Sequence, residues 1–491
     1  MNQNARRILP YLALALLAYM PIFGHLDGLP IRIWDESRLA INAYEAQRDG
    51  HWLVAHFEGR PDMWNTKPPL MVWAQALLMK ALGVNELAVR LPSALAGFLT
   101  ALLLLAFLRR GLGSPRLGLL AAFVLVSSAG YVGLHSTRTG DYDALLSLLT
   151  TLGGLLIFAY FETKDRRLLY LFFLSVALAV LTKSVAGLLF LPGVALYAAL
   201  RAEVLPLLRN RHFYQGIGLF LALVGSFYLA REAFNPGYLE AVWNNELGGR
   251  YLEVIEGHDE GFWFYYENLV SGRFRAWHLL LPLGAAAGLL SKDGRASRLA
   301  LFSVVLVGTF WLAISLAKTK LEWYDVPLYP FMAILVAFFL DLVFRFFDQA
   351  DWARLNLRWN FLPYAFLFLV GLRPYQEVLA MNYLPKEKSE GDAAFYEISY
   401  FLRDAARGHQ AIDGHVLSFE DYQAHNLFYV NLLNEKGAEV AFKHWHGLEP
   451  GDRAVAYQHG VKEYIRAHYH HELLRTHGAV EIYLIHAKLP E

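Results

Sequence analysis

The sequence contains no cysteine. Disulfides and cysteine metal sites are therefore excluded, and the redox state of the compartment leaves no trace in it. Neither sign of charge is in excess: Lys and Arg total 44, as do Asp and Glu. A nucleic-acid binder ordinarily carries a basic surplus, so that class loses its main support. No Walker phosphate loop and no dinucleotide fingerprint occurs, nor any internal repeat or low-complexity stretch. What is abundant is apolar. Of the 491 residues 56% are hydrophobic, and the mean hydropathy is +0.30. That is too apolar for an ordinary soluble protein.

Apolar runs of about 17–25 residues recur, long enough to cross a hydrocarbon core. The expectation is a polytopic α-helical membrane protein with about eleven transmembrane helices. They fall at residues 8–26, 88–108, 117–134, 143–161, 168–182, 185–200, 213–231, 278–290, 299–317, 326–344 and 360–372. Arg6 and Arg7 ahead of Ile8 mimic a signal peptide, but no small-residue cleavage site follows, so the first span reads as uncleaved. One set of loops is short and rich in Lys and Arg. It includes Arg109, Arg110 and Arg116, then Lys164, Arg166 and Arg167, then Lys292, Arg295 and Arg298. The positive-inside rule places these loops and the N-terminus in the cytoplasm. The alternate loops, 27–87, 135–142, 183–184, 232–277 and 318–325, then face outward with everything after about 373.

The outward loop 27–87 is more than a linker. Asp35 or Ser37 is expected to cap a helix reaching Asp49, with Gly50 as its stop. Pro68 and Pro69 open a second helix to about Leu82, with an apolar face suited to lying along a membrane surface. Beyond about Leu384 the pattern becomes that of a soluble chain. Helices are predicted near 390–407, 421–435 and 459–468, and strand-like runs at 411–418, 440–443, 454–457 and 479–487. These make a small C-terminal α/β soluble domain, giving a division into 1–372 and 373–491. Its histidines, among them His444, His446, His468, His470 and His471, lack a clean metal spacing.

Polar chemistry has few places to occur in such a chain. Asp35 and Glu36 follow Trp34 at a membrane edge and precede Arg38, which can orient a carboxylate through paired donors. A helix cap is the plain alternative; a carboxylate that takes a proton from a nucleophile is the functional one. Lys67 can bind interfacial lipid phosphate or neutralise a phosphate leaving group. Arg138, Asp141 and Asp143 open the fourth span with more charge than a cap needs, and charges entering a span are functional candidates. Lys183, between two short apolar segments, either snorkels or faces a site. Arg250, His258, Lys318, Lys320 and Tyr324 complete the outward polar set. His258 alone is more often a plain loop histidine. Aromatics among a few cations suit a sugar carried on a lipid phosphate. The outer face lacks nucleotide sugars, which points to the same donor class.

As a set, these motifs resemble the GT-C class of membrane glycosyltransferases, of the protein O-mannosyltransferase and lipid A aminoarabinose transferase type. The motifs are Trp34-Asp35-Glu36-Ser37-Arg38, Asn65-Thr66-Lys67-Pro68-Pro69, Val89-Arg90-Leu91-Pro92, Arg138-Thr139-Gly140-Asp141-Tyr142-Asp143, Leu181-Thr182-Lys183, Gly249-Arg250 and Lys318-Thr319-Lys320 through Tyr324. The resemblance implies a multi-pass inner-membrane enzyme that inverts a sugar from a polyprenyl-phosphate donor at the outer, periplasmic face. Asp35 would be its central catalytic residue, with Glu36 and with Asp143 or Asp141 as further carboxylates. Lys67, Arg250, Lys183, Arg138, Lys318 and Lys320 would serve the donor phosphate, and Arg38, Tyr324 and His258 the substrates. The acceptor would be lipid A, another envelope glycolipid, or a protein Ser or Thr hydroxyl. No metal ligand is assigned and no cofactor is required, although the class leaves room for a divalent metal. Membrane lipid is the only other partner expected. The relatives often place Glu before the lysine, where this chain has Thr66. A transporter or lipid flippase is the rival class, and it usually shows paired repeats that are missing here.

Overall fold

The computed structural model describes residues 3–248, 259–349, 361–383 and 390–490. Among them, six helices are long and apolar enough to cross a membrane: Glu86–Gly111, Asp143–Thr163, Arg166–Leu188, Arg211–Phe234, Gly294–Leu316 and Glu322–Gln349. Shorter apolar helices lie between them, including Pro115–Val126, Leu191–Leu200 and Leu280–Leu289. The chain is thus a multi-pass helical membrane protein.

Several helix ends differ from the sequence expectation, each for a local reason. The first helix is α-helical only to Ala18, then widens over Tyr19–Phe23 around Pro21. The run expected at 117–134 stops at Val126. There the Ser127 hydroxyl bonds back to the Phe123 carbonyl and Ser128 to that of Val124, each at 2.6 Å, and such back-bonding competes with the helix ladder. The segments on either side of Lys183 are separated by Ser184 at φ +47° and a tight turn over Ser184–Leu188. That turn packs so closely that a Cβ on Gly187 would lie 2.5 Å from the Ala179 carbonyl carbon. The helix expected at 360–372 runs Leu362–Tyr383 and does not end at 372. Arg373, Pro374 and Glu377 interrupt the apolar run without breaking the helix, and Arg373 pairs with Glu377 one turn on at 2.9 Å.

In the first long loop the helix Asp35–Asp49 ends on Gly50 at φ +80°, as expected. Its start is different. Neither Asp35 nor Ser37 caps it: Trp34 occupies the cap position, and the Ser37 hydroxyl donates to the Trp34 carbonyl at 2.9 Å. The second loop helix is Leu70–Leu82, preceded by Pro69.

Residues 415–488 build a five-stranded sheet. Its order is Ala441–His444, His415–Phe419, Arg453–Ala456, Val480–Lys488, Tyr469–His477. The first two neighbour pairs are parallel and the last two antiparallel. The sheet and its helices are joined to the first loop by one apolar core. Ile41, Tyr44, Val72 and Met79 of the loop pack there with Phe401, Leu402, Phe428 and Leu433. A polar seam reinforces it: the Tyr429 hydroxyl donates to Glu86 at 2.7 Å and accepts from the Ile31 amide at 3.0 Å.

Candidate functional site

Asp35 and Glu36 are neighbours in sequence with opposite surroundings. Consecutive helix residues do not share a face. Asp35 opens its helix with a side chain 48% exposed. Glu36 is buried and saturated. It accepts from Arg90 Nε at 2.7 Å and Nη2 at 2.9 Å, from the Arg32 amide at 2.8 Å and from the Gly140 amide at 2.9 Å. Burial pushes the Glu36 carboxyl up, but Arg90 and these amides outweigh it and hold the group below its ordinary range. Gly140 must be glycine for this contact, since a Cβ there would lie 2.5 Å from a Val89 methyl.

Arg38 is also committed. It forms a two-pronged pair with Asp62 at 2.9 and 2.6 Å and lies over the Phe57 ring. Asp62 further accepts from Asn42 and from the amides of Trp64 and Asn65, each at 3.0 Å. The second long loop grips the same segment. Tyr238 donates to the Thr66 carbonyl at 2.7 Å, and Asn245 to that of Met63 at 3.1 Å. Glu246 reaches Lys67 at 3.3 Å and accepts from the Thr66 hydroxyl at 3.4 Å. Glu246, 180 residues from Thr66, thus brings to Lys67 the carboxylate that position 66 lacks.

The two aspartates that open the Asp143–Thr163 helix diverge as well. Asp143 is buried and takes Lys183 Nζ on both oxygens at 2.6 Å. Lys183 in turn lies 4.9 Å from the centre of the Tyr324 ring. Asp141 turns toward Asp35: it accepts from the Thr139 hydroxyl at 2.5 Å and lies 3.2 Å from His135 Nδ1. His135 is 3.9 Å from Asp35 and stacks on Trp323 with ring centres 3.7 Å apart. Burial opposes a charge on His135, yet Asp141, and more distantly Asp35, raise its pKa. Ligand atoms of Asp35, His135 and Asp141 all lie within 4.8 Å of one another. Two carboxylates and an imidazole form a donor set that fits a divalent cation, and His135 Nδ1 is buried without a well-aligned hydrogen-bond partner.

A cavity of about 420 Å³ brings the Lys67–Glu246 and Lys183–Asp143 pairs to one lining. Lys67, Asp143, Lys183, Glu246, Thr319 and Tyr324 form its polar end, and Leu146, Leu189, Phe310 and Ile314 wall the rest. The other expected cations lie elsewhere. Arg138 donates to the carbonyls of Ile22 at 3.0 Å, Gly24 at 2.7 Å and His25 at 3.1 Å, closing the end of the first helix. Lys320 is buried against the Glu260 carbonyl at 2.8 Å, and burial lowers its pKa. Lys318 is exposed. Arg250 and His258 fall outside the described residues.

Residues 66–228 match the family described as dolichyl-phosphate-mannose-protein mannosyltransferase. The whole chain superposes on the crystal structure of ArnT from Cupriavidus metallidurans bound to undecaprenyl phosphate. That match has a TM-score of 0.73 at 14% identity and covers 99% of this chain and 98% of that one. The chain has a GT-C fold.

A second GT-C likeness is the Archaeoglobus fulgidus oligosaccharyltransferase, at TM-score 0.51 and 12% identity, over 88% of this chain and 64% of that one. Among curated relatives, an uncharacterized protein of Aquifex aeolicus is 28% identical over 66% of this chain and 64% of its own length. An undecaprenyl phosphate-alpha-4-amino-4-deoxy-L-arabinose arabinosyl transferase of Pseudomonas fluorescens is 28% identical over 67% and 59%. The chain therefore spans less than two thirds of the length of these relatives. Within this candidate site, sequence reasoning passed over His135 and did not assign Glu246. His135 ends an apolar run three residues before Arg138, which is the one local signal it offers. Glu246 stands in the Glu246-Leu247-Gly248-Gly249-Arg250 stretch, but its pairing with Lys67 is wholly tertiary.

Proposed function

We propose that this protein is an inverting membrane glycosyltransferase that moves a sugar from a polyprenyl-phosphate donor to an acceptor hydroxyl. The observation that carries the reading is the cavity: apolar walls for a lipid chain, two lysines at its polar end, and the half-exposed Asp35 nearby. In this mechanism Asp35 takes the acceptor proton as the acceptor oxygen bonds to the anomeric carbon. The bond from that carbon to the phosphate oxygen breaks on the opposite face, and polyprenyl phosphate leaves. Cationic neutralisation matters more here than acid catalysis, because the leaving group is already a weak base. Lys67 is the exchangeable cation, held at 3.3 Å from Glu246, whereas Lys183 is pinned on Asp143 at 2.6 Å. A donor phosphate competes with Glu246 for Lys67, and Lys183 supplies fixed charge behind it. Glu36, Arg38 and Arg138 act on the site by positioning its backbone. Arg250, His258, Lys318 and Lys320 remain proposed substrate contacts from the motif resemblance.

The acceptor we favour is lipid A or another cell-envelope glycolipid, with a protein Ser or Thr hydroxyl as the alternative. The motif resemblance to lipid A aminoarabinose transferases supports the first and the matched family description, a protein mannosyltransferase, the second. The site would face the periplasm from the inner membrane, with a cytoplasmic N-terminus. The proposed division is a catalytic membrane unit of 1–372 and an outer unit of 373–491, although the helix Leu362–Tyr383 runs across that boundary. Asp35, His135 and Asp141 would hold a divalent cation if the enzyme uses one, and it would acidify the acceptor hydroxyl. Titration of Zn²⁺ or Mn²⁺ into wild type and His135→Ala by calorimetry tests this: binding should be lost in the variant.

The deciding experiment is release of polyprenyl phosphate from a polyprenyl-phosphate sugar by the purified protein in nanodiscs. Asp35→Asn should lower it by about 10²–10⁴-fold; a folded variant with wild-type turnover defeats the assignment. Lys67→Ala should raise the donor KM, and unchanged kinetics would remove it from the phosphate role. Uptake of donor into vesicles without sugar transfer would instead favour the transporter class.

A further inference from the structure

Beside Asp35 stands a feature that the proposed chemistry does not use. Trp34 is 60% exposed, although the helix it precedes is largely buried. Its ring is backed by Tyr422, with centres 5.1 Å apart and planes within 9°. Behind Tyr422 lies Phe57, at 6.1 Å and 15°. The Arg38 guanidinium lies 4.2 Å from the centre of Phe57 and is itself fixed by Asp62. Three near-parallel rings and a clamped guanidinium thus form one stack, and its open end is the outer face of Trp34. Two segments 388 residues apart build it.

The stack holds a costly conformation. Trp34 has φ +71°, a region that a bulky L residue rarely adopts, and such strain persists where the surroundings fix it. The positive φ puts the indole on Tyr422 and the next residue, Asp35, at the opening of the helix. A membrane-interface anchor is the ordinary role of an exposed Trp. Here the backing ring belongs to a polar stretch, Glu420-Asp421-Tyr422-Gln423, packed with the sheet and not with a lipid-facing helix.

Resting on the proposed transfer to a hydroxyl at Asp35, we infer that Trp34, seated on Tyr422, is a stacking platform for a pyranose ring of the acceptor. The apolar face of a pyranose presents C–H groups, whose positive edges suit the negative face of an indole. A sugar seated there offers a ring hydroxyl toward the adjacent Asp35. A serine or threonine in a flexible peptide has no flat apolar face to seat in this way. The C-terminal unit thereby contributes to acceptor recognition through Tyr422.

The test uses full-length protein in nanodiscs and has two arms. In the first, saturation-transfer NMR follows a soluble glucosamine disaccharide on wild type, Trp34→Phe, Trp34→Ala and Tyr422→Ala. Transfer to the C–H groups of one pyranose face is expected for wild type and Trp34→Phe, with binding at least about tenfold weaker for Trp34→Ala and weaker for Tyr422→Ala. In the second, polyprenyl phosphate release is measured with a glycolipid acceptor and with a Ser/Thr peptide. Trp34→Ala should raise the glycolipid KM about tenfold while leaving the donor KM in place, and Trp34→Phe should restore it. Equal disaccharide binding by Trp34→Ala and wild type overturns the platform, as does a loss confined to kcat. Turnover with the peptide alone also overturns it while leaving the transferase reading intact. If wild type releases no polyprenyl phosphate with either acceptor, the transferase reading fails, and the NMR arm still decides the platform. Tyr422→Ala leaves the residue beside Asp35 unchanged, so it serves where a substitution at position 34 disturbs the fold.

Discussion

Asp35 and Glu36 show how much a single residue's surroundings decide. Both were legible as candidates from their place after an apolar span. What separates them, the pairing of Glu36 with Arg90, joins positions 54 apart and leaves no local signature. Arg90 is buried at 2% exposure and also donates to the carbonyls of Leu26, Leu29 and Pro30. Glu36→Gln therefore strands a buried cation and should destabilise the protein by about 3–5 kcal/mol, read as a large drop in thermal midpoint. Asp35→Asn should leave that midpoint in place while lowering transfer by about 10²–10⁴-fold. His425 makes a second prediction at this scale. It is fully buried with both ring nitrogens unpartnered, and burial pushes its pKa down to about 3. The unfolded chain, with an ordinary pKa near 6.5, binds a proton in this range where the folded chain does not. The stability of neutral burial is complete above about pH 6.5 and declines below it by about 1.4 kcal/mol per pH unit until the folded pKa is reached. The protection factors of amides across residues 415–488, taken against the intrinsic exchange rate at each pH, should fall from pH 6.5 to 5 in wild type and more weakly in His425→Leu; identical pH profiles would refute this.

Among elements, the helices carry their signal in apolar runs, and most were visible. Their ends were less so, because Ser127, Ser128 and Ser184 act through hydrogen bonds and backbone geometry that hydropathy does not register. The strand Tyr469–His477 was invisible for another reason. It lies at the sheet edge, is exposed along most of its length and carries bulges, so its residues show no alternation. Its partner Val480–Lys488 has one face buried and was predicted almost to the residue. The clearest prediction between elements concerns Lys183 and Asp143, which tie the start of one span to the end of the next. Lys183→Met alone should cost about 3–5 kcal/mol, because Asp143 stays buried without its counter-charge. Adding Asp143→Asn should recover much of that stability without recovering donor turnover. A double-mutant cycle with thermal unfolding and polyprenyl phosphate release checks both; strictly additive stability losses would contradict the pairing.

For the whole molecule, the shared core of the first loop and the C-terminal unit is the finding that sequence patterning could not supply. Periodicity shows that each part has an apolar face, but not that the faces meet. The Tyr429 hydroxyl bridges Ile31 and Glu86, and Tyr396 accepts from Arg32 at 3.2 Å. The same seam carries Tyr422 beneath Trp34. This arrangement sets an order in time. The ribosome releases Ile31 398 residues before Tyr429, so the loop that bears Asp35 emerges long before its supports exist. Until residues past 430 are made, that loop lacks the C-terminal helices that complete its apolar core. A nascent chain arrested near residue 380 should therefore show protease-sensitive residues 27–50, and protection should appear once residues past 430 have left the ribosome.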